Sequence, residues 1–235
     1  MHKWQIMEIK NFTYLIILIA SISVPLILSF DKKVQYYKNL KYILPAILVT
    51  AAIFWVWDIH FVEAKVWSFN PEYTIGKGIK GLPFEEWLFF IVIPYSYVFI
   101  YEVLKVYLEK YEFAKPFLGF SVCLVVGFAL VSYFFRHQAY TYLTFMFSAI
   151  YLAYTVFRNN FIKHITKFYF SYFISLVPFI IVNGILTSLP VVEYNPAHIM
   201  NIRIMNIPVE DFSYFFLMLL MTTTIYETLK ASRYY

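Results

Sequence analysis

The fold class this sequence predicts is all-α: a polytopic membrane bundle of about seven transmembrane helices, built as two parallel three-helix repeats joined by a linker helix. Three features point there. Only 14% of the 235 residues are charged and 61% are apolar, too little charge for an ordinary soluble domain. Seven apolar runs reach or approach the roughly 20 residues that cross a bilayer. The stretch 70–102 returns as 195–227 at a constant offset of 125 residues without a gap. Asn70 matches Asn195, Pro83 matches Pro208, Glu85 matches Glu210, Glu86 is replaced by Asp211, and both copies end on Tyr-Glu (Tyr101-Glu102 and Tyr226-Glu227). An ungapped match of that length signals an internal duplication.

Taken in order, the expected helices are 12–30, 42–57, 82–104, 116–135, 142–157, 168–189 and 207–229. The first run is longer than a signal-peptide core and is followed by no clear small-residue cleavage site, so no cleavable leader is expected. The 125-residue offset carries helix one onto five, two onto six and three onto seven. The fourth is left as a linker. The expected division is a first repeat over 1–110, the linker helix over 111–136 and a second repeat over 137–235. Three crossings plus the linker return the chain to its starting side. The repeats are therefore parallel, unlike the inverted repeats of many transporters, and both motif loops fall on one face.

Charge gives the sidedness. The net +5 is spread over short loops, a topology signal with no expectation of nucleic-acid binding. Twelve basic residues fall on the side opposite the motif loops, including Lys105, Lys167, Lys230 and Arg233; seven fall on the motif side, including Lys3, Lys77 and Arg203. The positive-inside rule then puts the motif loops outside and the C-terminus in the cytoplasm, in a cell membrane. The single Cys123 excludes an internal disulfide.

Residues 76–81 fit G-x-G-x-x-G literally, but no strand–helix unit surrounds them and Pro83 follows at once, which argues against dinucleotide binding. In the second copy Gly76 and Gly81 become Asn201 and Asn206. Glycine and asparagine tolerate left-handed backbone best, so the shared requirement reads as a turn. Pro83 and Pro208 suit a first helical turn. Glu85, Glu86, Glu210 and Asp211 then open helices three and seven. One acid per helix would be explained by the helix dipole. Two adjacent acids in both copies are better explained by function, because neighbouring positions point about 100° apart and one can face the bundle. Asp58 ends helix two on the same face, with Asn183 in its place in the second copy. Glu102 and Glu227 lie 17 residues farther along, roughly 25 Å away, where a snorkelling carboxylate and an anchoring tyrosine are expected. No His/Cys/carboxylate cluster has metal-ligand spacing, and no cofactor motif is present. The 22 Tyr and 26 Phe are mostly belts and packing, yet a cavity lined with some would suit a carbocation.

The two segments, with their Pro-x-Glu-Glu and Pro-x-Glu-Asp motifs, resemble the two halves of the membrane-integral lycopene cyclase domain found in fungi, archaea and some bacteria. The resemblance covers nearly the whole chain, with both halves fused; the phytoene synthase domain that fungal members append has no counterpart here. It implies non-redox cyclisation of the linear end groups of lycopene to β-ionone rings, by way of γ-carotene to β-carotene, without flavin, metal or other cofactor. A neutral carboxylic acid protonates the terminal double bond, the neighbouring double bond closes the ring on the cation, and a carboxylate removes a ring proton. Adjacent acids in a low-dielectric site can share one proton between them. Glu85 and Glu210 are the favoured acid/base residues, Glu86 and Asp211 their partners, and Asp58 a weaker candidate. Expected partners are lycopene or a related acyclic carotenoid and membrane lipids; self-association or contact with other carotenoid-pathway enzymes completes the list. An extended C40 polyene is about as long as the roughly 30 Å hydrocarbon core. Lying across the membrane, it would bring one end at a time to the motif face, unless acids of both repeats form one composite site. The competing readings are a proton-coupled transporter of a lipid or small solute and a cyclase of C50 carotenoids.

Overall fold

The computed structural model describes residues 8–76, 78–158 and 161–232. Lys3, Lys77 and Arg233, counted above, lie outside the described residues. Seven α-helices are long and apolar enough to cross a membrane: α1 (Thr13–Leu28), α2 (Leu40–Glu63), α3 (Phe84–Tyr107), α4 (Ala114–Phe134), α5 (Ala139–Phe157), α6 (Ile162–Ser188) and α7 (Val209–Ala231). Each expected span is present. The largest differences are in α2, extended at both ends, and α6, which begins six residues early. Those added turns are amphipathic or polar and are held by tertiary contacts that a hydropathy window does not see: Lys167, for instance, is buried and donates to the Tyr111 carbonyl and to Glu112, both at 2.6 Å.

The helices form a graded bundle. α3 and α7 are its centre, and α1 and α4 lie at its edge with most of their surface outward. Outward apolar residues such as Ile16, Ile19, Val126 and Leu130 suit lipid, where every backbone polar group must be satisfied within the helix. In such a medium helices associate by close packing and a few interhelical hydrogen bonds. Ser213 pairs with Ser148 at 2.9 Å, Ser121 with Tyr169 at 2.7 Å, and Tyr151 with Thr224 at 2.7 Å. Each is worth on the order of 1 kcal/mol.

Six short strands organise the motif face: β1 (Trp67–Phe69), β2 (Gly78–Ile79), β3 (Leu82–Pro83), β4 (Val192–Tyr194), β5 (Arg203–Ile204) and β6 (Ile207–Pro208). β2–β3 and β5–β6 are tight hairpins of equal register. β1 pairs antiparallel with β4, so the two motif loops meet on one face. Ser68 stands opposite Glu193, its own counterpart at offset 125. A local twofold axis therefore passes through that pair.

The loop details show what the glycine/asparagine exchanges do. Gly76 and Asn201 are both left-handed, with φ of 69° and 59°. The second exchange differs from expectation. In the first hairpin Lys80 and Gly81 are left-handed, whereas in the second it is Met205, with Asn206 outside that region. Gly81 is also required by contact: a Cβ there would meet Val62 Cγ1 at 2.8 Å. In the second copy Val62 is replaced by Thr187, and the Asn206 amide donates to Thr187 Oγ1 at 2.6 Å. One repeat packs the hairpin on its second helix; the other hydrogen-bonds it. Pro83 and Pro208 sit one position earlier than expected, each closing a strand and serving as N-cap residue. A fixed φ near −65° fits both the strand end and the helix entry.

Candidate active site

The β1–β4 pair roofs a cavity of about 60 Å³. Strand alternation sends Trp67 and Phe69 of β1, and Val192 and Tyr194 of β4, down into it, while Ser68 and Glu193 point away. Glu86 of α3, Asp58 of α2, Asp211 of α7 and Asn183 of α6 line it from below. All three acids are buried. Both repeats contribute, so the site is composite. No lysine, arginine or histidine is among the described residues that line it.

The two halves hold their acids differently. Glu86 accepts from the Tyr14 hydroxyl at 2.6 Å and lies within hydrogen-bonding reach of Asp58. Asp58 in turn accepts from Tyr214 at 2.8 Å. Two carboxyl groups in hydrogen-bonding reach need a proton between them, since an ionised carboxylate is an acceptor only. Asp211 instead accepts three hydrogen bonds: from Tyr140 at 2.7 Å, Asn183 at 2.7 Å and Tyr194 at 2.8 Å. Tyr194 lies on the loop above the helices, and burial pushes its phenol well above its ordinary range, so it remains a donor. Replacing Asp58 by Asn183 thus turns an acid–acid contact into a donor–acceptor contact at the equivalent place.

Glu85 and Glu210 take another position. Each is fully buried beneath its own loop. Glu85 Oε1 accepts the Ile75 backbone N–H at 2.8 Å, and Glu210 Oε1 accepts the Met200 N–H at 2.7 Å and the Thr141 hydroxyl at 2.5 Å. Ile75 and Met200 are themselves repeat counterparts. These acids tie each loop to its helix start. Neither lines the cavity, although each keeps one buried oxygen, Oε2, without a partner among the described residues. Of the acids singled out in the sequence, Glu86, Asp211 and Asp58 face the cavity, and Glu85 and Glu210 lie beneath its loops.

Sequence reasoning did not single out Tyr14, Tyr140, Tyr194 or Tyr214. The available signal was weak. Tyr14 and Tyr140 open α1 and α5 but are one register step off the repeat, and Tyr194 and Tyr214 replace Phe69 and Phe89. The rings also form the cavity wall. Trp67 meets Tyr140, Tyr194 and Tyr214 with centroids at 5.0, 6.2 and 6.1 Å.

At the far end of α3 and α7, Glu102 and Glu227 do not snorkel. Both are buried in a network that crosses the repeats. Lys105 bonds Glu102 at 2.9 Å and Glu227 at 2.7 Å; Lys230 bonds Glu102 at 3.2 Å; Tyr101 donates to Glu227 at 2.9 Å. Asn39 and His164, repeat counterparts, reach Glu102 at 3.0 Å and Glu227 at 3.6 Å. Lysines three residues after each glutamate provide the partners that make burial tolerable.

Compared with known proteins, residues 11–104 and 137–229 each match the lycopene cyclase family model. A bifunctional lycopene cyclase/phytoene synthase of Neurospora crassa is 38% identical over 58 residues, which is 25% of this chain and 9% of that protein. The matched stretch is thus a small part of the fungal chain. No solved structure matches. With both three-helix segments matched by the same model on either side of α4, this chain belongs to the lycopene cyclase family.

Proposed function

We propose that this chain is a carotenoid cyclase that closes the linear ψ-end groups of lycopene to β-ionone rings, through γ-carotene to β-carotene. The observation that carries the reading is the composite cavity, in which three acids and an amide from both repeats converge among aromatic rings with no cation among the described residues that line it. The repeats are 1–110 and 137–235, joined by the 111–136 helix. The protein sits in a cell membrane with the motif face outward.

In the proposed reaction the proton shared by Glu86 and Asp58 goes to the terminal double bond. The tertiary cation is held against the faces of Trp67 and Tyr214. The neighbouring double bond attacks it and closes the six-membered ring, moving the positive charge to a ring carbon. Asp211, held as an acceptor by Tyr140, Asn183 and Tyr194, takes the adjacent ring proton. One proton enters and one leaves, so no oxidant or reductant is consumed. The proton then returns from Asp211 to the Glu86–Asp58 pair within the same small cavity. Glu85 and Glu210 hold the loops that roof the site.

α3 and α7, which carry Glu86 and Asp211, are each one continuous helix, α3 with Pro94 inside it, which favours a fixed reaction site over a transporter, whose substrate sites commonly use interrupted helices. The test is pigment analysis of a lycopene-accumulating bacterial host expressing the chain. Conversion to γ- or β-carotene is expected. Unchanged lycopene with the protein present in the membrane would overturn the reading, and conversion of only longer acyclic carotenoids would move it to C50 substrates.

A further inference from the structure

The acid cavity borders a larger space. Between α1, α3 and α6 lies an apolar groove of about 440 Å³. It shares Phe89, Phe179, Asn183 and Phe215 with the cavity wall, so only these side chains stand between the two. Small side chains make the groove: Ala20, Ser21 and Val24 on α1, Ser96 on α3 and Val182 on α6. Its mouth faces the lipid, where Val24 is 60% exposed. On α3 the groove runs from Phe89 to Ile100, roughly 16 Å at 1.5 Å per residue. That is about half the thickness of the hydrocarbon core.

A twofold relation demands a second groove between α5, α7 and α2. Offset by 125 residues, Ala20 becomes Phe145, Ser21 becomes Met146 and Val182 becomes Trp57. The second repeat thus carries larger side chains at these three positions, and α4 packs on α5 beside them. Trp57 stacks on Phe54 at 5.8 Å and stands edge-on to Phe147 at 5.2 Å and Tyr214 at 5.4 Å. Phe145 is buried against Phe128 of α4 at 5.5 Å.

We infer that the groove between α1, α3 and α6 is a lateral entrance for the polyene, and that in the second repeat Phe145, Met146 and Trp57 stand where Ala20, Ser21 and Val182 leave it open. This rests on the proposed cyclase reading and adds the route by which substrate reaches it. The polyene enters from the bilayer with one end group in the acid cavity. The groove covers about half of the polyene, and the remainder stays in lipid. Walls that are mostly apolar, with the Ser21 and Ser96 hydroxyls donating to the Ile17 and Ser21 carbonyls at 2.8 and 3.0 Å, fit a hydrocarbon chain with no hydrogen-bonding groups. Both ends of a symmetric substrate use this entrance in turn.

The test uses cysteine protection in vesicles. In a Cys123→Ser background, Val24→Cys is placed at the groove mouth and Val126→Cys on the outer face of α4. Labelling by a lipophilic maleimide is followed with and without lycopene. The inference predicts labelling at position 24 slowed at least about threefold by lycopene, with position 126 unchanged. Equal rates at position 24 with and without lycopene would overturn it. The paired Ala20→Phe/Ser21→Met variant, which copies the second repeat's residues, is expected to lose protection and conversion together. Protection or conversion retained in that variant would equally overturn the inference. The two readings fail separately. Conversion by the parent without protection removes the groove alone, whereas protection without conversion keeps the groove as a polyene site and removes the cyclase.

Discussion

The two ends of α3 and α7 carry the same kind of residue to opposite effect. At the far end, Glu102 and Glu227 are buried with Lys105 and Lys230 between them, and each carboxylate has a cation within 3.2 Å. At the motif end, Glu86, Asp58 and Asp211 are equally buried, yet their partners are phenols, an amide and one another. A buried acid that meets a lysine becomes part of a clamp, since removing either partner leaves an unpaired charge. Buried acids that face each other can share one proton, and in the proposed reaction that proton goes to the substrate. The neighbours, more than the carboxyl groups, separate structure from chemistry in this molecule.

Substitutions should expose the difference. The largest effect is expected at the cavity. Glu86→Gln or Asp211→Asn should lower conversion of lycopene by about 10²–10⁴-fold, the usual worth of a positioned acid or base, with protein yield unchanged; pigment analysis at matched expression measures it. At the clamp the order reverses. Lys105→Met leaves two acids short of a cation and should cost about 3 kcal/mol of stability, read as a lower melting temperature in detergent. A second change, Glu227→Gln, should cost less on top of it than alone, a coupling a double-mutant cycle reads. If Lys105→Met leaves stability unchanged, the clamp is ornamental.

The repeat, the seven spans and the acidic motif were legible in the sequence because they are local: apolar run length, a constant offset and adjacent acids survive without knowledge of packing. Asp58 and Asn183 were placed near the acids by topology alone. Which acid of each pair faces the cavity was not legible. In a membrane helix that is apolar all round, no polar stripe marks the outer face, so the 100° between Glu85 and Glu86 could be assigned either way. The same holds for Tyr14, Tyr140, Tyr194 and Tyr214, four among 22 tyrosines, whose role depends on contacts 17 to 156 residues apart. The burial of Glu102 and Glu227 was foreshadowed by the lysines three residues on, but lysine at a helix end also fits an exposed interface.

Two smaller effects sharpen the contrast. Glu85→Ala frees the half-buried Ile75 N–H and should cost about 1 kcal/mol, seen as earlier unfolding, while Glu85→Gln keeps an acceptor at that place and should be milder. Tyr194→Phe removes one of three donors to Asp211. The expected loss is about 1 kcal/mol, or about fivefold in conversion, with binding of the carotenoid retained. A loss as large as that of Asp211→Asn would make the phenol itself a reacting group.

The most direct measurement sets the two adjacent acids side by side. Glu85→Gln and Glu86→Gln are expressed at equal level in a lycopene-accumulating host, and the pigments are separated. The account predicts that Glu85→Gln still yields cyclised carotenoid while Glu86→Gln accumulates lycopene. Cyclisation that survives in Glu86→Gln and vanishes in a folded Glu85→Gln would contradict it, and would move the chemistry from the shared cavity to the acids beneath the loops.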